Sequence, residues 1–373
     1  GPGGATYGPS YGGKGSGGWA TYGSALAPTD LGSAGCLAYW GGWAAGGGAI
    51  RLDVAGTLTL NGEISADATA GGDSDRGHGA TGGSIYVTTS VLTGSGKFTA
   101  DGYANGTAQG SGGRIAVHYA DGATFHAYTA STASAGGSVA EDGTLGFFDT
   151  SVPASHLYVF RRFAFDANQT YHFGGLTVDN SGLVQLGGGS ELRLGGDLTI
   201  RSGSTVRVLG TDAGGSSFGQ WLGRGGVLRA ENMIVQAGAS LTADAQGYLG
   251  RYDTAGLGPG AGPGNAGGTH AGIGGNSSAA AWEIPASRNT YGDPLLPADL
   301  GSSGGGFDRL GGGWGGNGGG AIQVVVRDTL TIDGTVSADG QSMNGTRGDG
   351  AGAGGSLSIT TGRLIGSGTI SAD

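Results

Sequence analysis

The run from Gly46 to Asp101 returns from Gly318 to Asp373 with no insertion or deletion, at a constant offset of 272 positions. About four in ten of the paired positions are identical, and the apolar ones interchange among Leu, Ile, Val and Phe, as a buried strand face tolerates. A gap-free repeat of this kind describes a stackable unit whose strands keep their register. The first copy continues through GYANGTAQGSGGRIAVHYADG, whereas the second stops at the position equivalent to Asp101, so the chain reads as a window on a longer array.

Between the copies, apolar triplets start at Leu176, Leu183, Leu192, Leu198 and Val206, separated by turn residues such as Asp179-Asn180-Ser181-Gly182. Strands this short, with alternating side chains, imply that Leu192, Leu194, Leu198 and Ile200 point inward and Glu191, Arg193, Asp197 and Thr199 outward. Three strands per coil give a predicted coil of about 22 residues, from Leu176 to Leu198, the pattern of a parallel β-helix. The fold class read from this is all-β, a parallel β-helix or β-solenoid with long glycine-rich lateral loops. In the repeated block the expected strands are Ala49 to Val54, Thr57 to Leu60, Gly62 to Ser65, Ile85 to Thr88 and Lys97 to Ala100.

The 90 glycines among 373 residues follow no third-residue period, which excludes collagen. They gather in excursions, Asp67 to Gly83, Asp101 to Gly113 and Asp339 to Gly355, each leaving after a Ser/Thr-Ala-Asp tripeptide. Loops that leave equivalent strands emerge near one another. Runs such as Gly311 to Gly320 suit an extended polyglycine conformation, in which backbones approach closely because no Cβ intervenes. The organisation is therefore a glycine- and aromatic-rich segment of the first repeat (1–45), coils with glycine-rich excursions (46–155), regular coils (156–250), a second glycine-rich segment (251–317) and the start of the second repeat (318–373).

A net charge of −10 with two lysines leaves no basic patch for nucleic acid or an anionic membrane. No stretch is long and apolar enough to span a bilayer. The N-terminus lacks signal-peptide features, so a signal either was removed or lies upstream. One cysteine, Cys36, permits no internal disulfide, and strand ladders must supply the stability.

Chemistry-bearing groups are sparse. Asp67, Asp101, Asp244, Asp339 and Asp373 each follow (Ser/Thr)-Ala at a strand end and should share a corner of successive coils. Turn chemistry, with each carboxylate taking backbone N–H groups two residues on, is the first reading. Calcium ligation by these five carboxylates is the alternative, and no other cofactor is expected. His118 and His126 read as a surface pair. Aromatic residues crowd the glycine-rich segments: Tyr7, Tyr11, Trp19, Tyr22, Tyr39, Trp40 and Trp43, then Tyr248, Tyr252, Trp282, Tyr291, Phe307 and Trp314. Most should pin the loops down by packing. Trp19, Trp43, Trp314, Tyr22 and Tyr291 are the candidates for ligand contact, because flat rings stack on sugars or on a protein surface. The segment YGSALAPTDLGSAG from Tyr22 answers YGDPLLPADLGSSG from Tyr291.

At GGGAIRLDVAGTLTLNGEISADA, GGSIYVTTSVLTGSGKFTADG and SGGRIAVHYADG the chain resembles glycine-rich β-solenoid surface proteins, very large repetitive polypeptides of bacteria. That resemblance implies an extracellular, cell-surface adhesin, matrix or filament component, and it carries no catalytic residues. Three function classes follow. The first is a non-enzymatic fibre, sheath or stalk segment whose partner is itself or neighbouring repeats. The second is a carbohydrate- or receptor-binding module using the aromatic loops. The third is a polysaccharide lyase or hydrolase, which the architecture allows and the residues do not favour.

Overall fold

Alternating apolar triplets and β-branched runs become strands throughout. A computed structural model of the chain describes residues 2–4, 8–36, 43–70, 79–211, 213–215, 220–252, 254–264, 266–275, 289–306, 313–343 and 349–373. Tyr7, Tyr39, Trp40, Trp282 and Phe307 lie outside these residues. Among those described the fold is all-β, with no helix. The chain divides into two compact units, one of residues 1–164 and 176–183, the other of 165–175 and 184–373.

In the first unit the strands Ala49–Thr59, Ser84–Gly94, Arg114–Phe125 and Thr144–Asp149 run parallel in chain order. Ala49 faces Ser84, Ser84 faces Arg114 and Arg114 faces Thr144, steps of 35, 30 and 30 residues. The two strands expected at Ala49 to Val54 and Thr57 to Leu60 are one strand, with a register irregularity between Val54 and Thr57. Such an irregularity turns the strand without ending its ladder, so it leaves no turn residues to read. A second ladder pairs Glu63–Ser65 with Lys97–Thr99, also parallel. Positive φ angles of 59° and 58° at Ala154 and Ser155 reverse the chain, and His156–Val159 then pairs antiparallel with Thr144–Asp149. Ile85, Val87, Leu92, Phe98, Ile115, Val117, Phe125 and Phe147 form the core, each burial contributing roughly 1.5–3 kcal/mol.

The second unit keeps three strands per coil. Glu191–Leu194, Leu198–Ile200 and Thr205–Val208 form one coil, and Gly226–Ala230, Met233–Val235 and Ser240–Thr242 lie parallel upon it. The long strand Ala321–Ile332 supplies both of the next positions, with Thr335–Ser337 the third. Ser356–Ile365 and Thr369–Ser371 follow in the same register. Turns between strands place Gly203 and Gly238 at φ of 79° and 76°, a conformation that suits glycine. Leu192, Leu194, Leu198 and Ile200 are buried, while Arg193 and Asp197 are exposed and Glu191 and Thr199 partly so, the alternation expected of these strands.

The coil length departs from expectation. A step near 22 residues occurs once, where Thr170 faces Glu191, 21 positions on. Elsewhere Thr205 faces Ser240 and Ala321 faces Ser356, 35 positions on, and Ser240 faces Thr335 across 95. Strand spacing alone cannot reveal how many residues a turn lets out before its strand rejoins the ladder.

Candidate functional site

The recurring Ser/Thr-Ala-Asp corners are linked from coil to coil. Asp67 Oδ1 accepts the backbone N–H of Asp101 at 2.6 Å, and its Oδ2 accepts the Thr99 hydroxyl at 2.9 Å. Asp101 repeats this with the N–H of Ser134 (2.6 Å) and the hydroxyl of Thr132 (2.9 Å). In the second unit Asp244 takes the N–H of Asp339 and the Ser337 hydroxyl, and Asp339 takes the N–H of Asp373 and the Ser371 hydroxyl. Each carboxylate therefore reaches one coil on, and the expected donor two residues on is replaced by a strand-end N–H that has left its ladder. Burial raises the Asp101 pKa, opposed by the bonds from Ser134 and Thr132. Among the described residues no three His, Cys, Asp or Glu side chains form a group able to hold a metal ion.

Beside the strands, extended glycine segments bond to one another through their backbones. In the second unit the segment 301–306 is central: Gly301 N–H donates to Gly319, Gly304 to Gly316, Ser303 to Leu257 and Gly305 to Ala266, and its Ser302 carbonyl accepts from Ala353. Four neighbouring segments thus converge on one chain. A Cβ at Gly304 would collide with the carbonyl of Gly350, and one at Gly318 with that of Gly301. In the first unit the segment 108–113 has the same role, with Ser111 donating to Pro9, Gly112 to Glu141 and Gly113 to Ala100, and Ser111 accepting from Gly82. The excursions at 67–83 and 101–113 thus do emerge together, as expected. Full lateral bonding of glycine backbone satisfies groups that would otherwise be stranded in a packed, side-chain-free layer.

Tyr22 and Tyr291 fasten these layers. The Tyr22 hydroxyl donates to the Leu31 carbonyl at 2.6 Å and meets Ser33 Oγ at 2.9 Å; Tyr291 does the same to Leu300 (2.6 Å) and Ser302 (2.8 Å). Each phenol ring packs on another ring, Tyr22 on Tyr11 at 4.5 Å and Tyr291 on His270 at 4.7 Å. Burial raises both phenols, and pushes Tyr11 up to about 12, so all three stay protonated near neutrality. Ser84 hydroxyl donates to the Asp30 carbonyl at 2.6 Å, matched by Ser356 to Asp299 at 2.7 Å. In the first unit Arg114, buried, completes the arrangement: Nε donates to the Tyr22 carbonyl at 2.9 Å, Nη2 to that of Tyr11, and the guanidinium lies 5.5 Å from the Tyr11 ring centre. Sequence reasoning missed Tyr11, Arg114 and the serine pair, although Ser84 and Ser356 stand at the repeat offset.

The tryptophans face outward. Trp19, Trp43 and Trp314 are 47, 55 and 60 % exposed. Trp43 sits on the strand Trp43–Ala45, between Gly35–Cys36 and Thr69–Ala70, and Trp314 pairs with exposed Tyr252 at 5.6 Å between ring centres. His118 and His126 do not form a surface pair. His118 stacks on Phe148 at 4.4 Å and bonds the Leu26 carbonyl, with its pKa lowered by burial, while His126 follows the same strand and is exposed. The described groups hold backbone and rings in place, and the exposed ones are flat aromatic faces. Comparison with family models, with curated proteins and with solved structures found no match.

Proposed function

We propose that this chain is a non-enzymatic, extracellular structural protein, a segment of a repetitive cell-surface fibre, sheath or adhesin stalk whose coils form a parallel β-solenoid and self-associate by stacking. One observation carries the reading: both copies rebuild the same parts at the same offset, namely the parallel strand pair, the aspartate corner, the tyrosine fastener and the bonded glycine layer. Nearest-neighbour construction of this kind makes length cheap and the ends adhesive. Sedimentation over a wide concentration range tests it. Concentration-dependent, end-to-end assemblies are expected, and a strict monomer at high concentration contradicts the reading.

The exposed Trp43 and the Trp314–Tyr252 pair favour a second reading, in which the same chain stacks its rings on a polysaccharide. A glycan array read with the Trp19→Ala, Trp43→Ala and Trp314→Ala triple variant decides it. Binding lost with the rings supports the lectin-like role, and binding unchanged removes it.

A further inference from the structure

The strand Ser356–Ile365 pairs on one side, with Ala321–Ile332, and beside it opens a cavity of about 550 Å³ lined by His270, Tyr291, Asp293, Ser356, Leu357 and Ile370, among others. Its counterpart 272 positions earlier is occupied. There Arg114–Phe125 lies parallel on Ser84–Gly94, the Arg114 guanidinium enters between the carbonyls of Tyr11 and Tyr22, and the Arg114 N–H donates to Gly83 at 2.9 Å. The receiving parts recur. Tyr291 N–H donates to the His270 carbonyl as Tyr22 N–H does to that of Tyr11, Ser356 is tied to Asp299 as Ser84 is to Asp30, and Gly355 stands where Gly83 does.

We propose that this edge is a docking site for an extended parallel strand that begins Gly-Gly-Arg and continues with alternating apolar residues. The inference rests on the structural reading above and gives its contact a defined chemistry. The glycines are required because a Cβ at Gly113 would collide with the Gly83 carbonyl, and Gly355 presents the same carbonyl to an incoming chain. The arginine is required because the carbonyls of His270 and Tyr291 offer the same acceptors, with the Asp293 carboxylate at the rim. Alternating apolar residues are required because Leu364 and Ile370, 53 and 47 % exposed, match Leu92 and Phe98, both 0 % exposed under the Arg114–Phe125 coil. Backbone bonds give such strand addition its affinity, and the side chains its selectivity.

Calorimetric titration of the chain with a synthetic peptide spanning residues 111–125 tests the proposal. Saturable one-to-one binding is expected. It should weaken at least about tenfold with Arg114→Ala in the peptide, a change that removes charge-assisted hydrogen bonds. Gly113→Val in the peptide, or Leu364→Lys in the receiving chain, should abolish it. Absence of binding, or equal binding by the Arg114→Ala and Gly113→Val peptides, overturns the proposal. A chain that assembles in sedimentation yet ignores the peptide loses this socket and keeps the structural role. A monomeric chain that captures the peptide keeps the socket and loses the fibre.

Discussion

Ile50 and Ile322 are the same residue at the same place in the repeat, yet Ile50 is partly exposed and Ile322 is buried; one strand further on the order inverts, with Ile85 buried and Leu357 partly exposed. Sequence position therefore does not decide burial. The strand Ala49–Thr59 has a partner on one side, and its equivalent Ala321–Ile332 has partners on both; Ser84–Gly94 has two, and Ser356–Ile365 has one. What a coil contributes to stability is set by its neighbours, as in a one-dimensional stack.

Matched substitutions in the two copies sharpen this contrast most. Leu92→Ala should destabilise by about 2–5 kcal/mol, the cost of a core cavity, whereas Leu364→Ala should cost under about 1 kcal/mol, both read from denaturant melts. The order should reverse one strand earlier, with Ile322→Ala the more damaging and Ile50→Ala the milder. Equal losses within either pair would break the comparison.

Glycine substitutions come next. Gly113→Ala meets the Gly83 carbonyl and should cost about 1–3 kcal/mol through overpacking, while Gly56, with open space around its Cα, should accept alanine almost silently. At the corners, Asp101→Ala frees the Ser134 N–H and the Thr132 hydroxyl, at a cost of about 1–2 kcal/mol. Asp373, at the same repeat position and exposed, should lose far less in the same melts.

The smallest effect is a pH asymmetry. Hydrogen bonds from Thr88 and then Arg51 hold the Asp53 carboxyl below the usual carboxylate range. A depressed folded pKa means that its contribution is present above the ordinary value and lost as the pH falls through the depressed one. The second copy has Val325 at this place and Gln323 for Arg51. Acid should therefore loosen Ala49–Thr59 without a matching change in Ala321–Ile332, measured by amide exchange at successive pH values. Asp53→Asn should remove the difference.

Much of this arrangement is legible in the sequence because repeat and pattern report local physics. The inward set Leu192, Leu194, Leu198 and Ile200 follows from alternation, the shared corners of the aspartates from their tripeptide, and the equivalence of Tyr22 and Tyr291 from the matching segments around them. Pairing at long separation is not legible. Nothing local in Ser240 announces a partner 95 residues on at Thr335, because the intervening chain is spent in the glycine layer. Nor does Arg114 show its role, since a buried guanidinium held by two carbonyls and a phenol ring depends on loops folded about a hundred residues earlier.

Hydrogen exchange followed strand by strand tests the central claim most directly. If neighbours set stability, protection should cross over between the copies, with Ser84–Gly94 and Ala321–Ile332 exchanging slowly and Ala49–Thr59 and Ser356–Ile365 quickly. Equal protection of the strands that share a repeat position, Ala49–Thr59 with Ala321–Ile332 and Ser84–Gly94 with Ser356–Ile365, would contradict it.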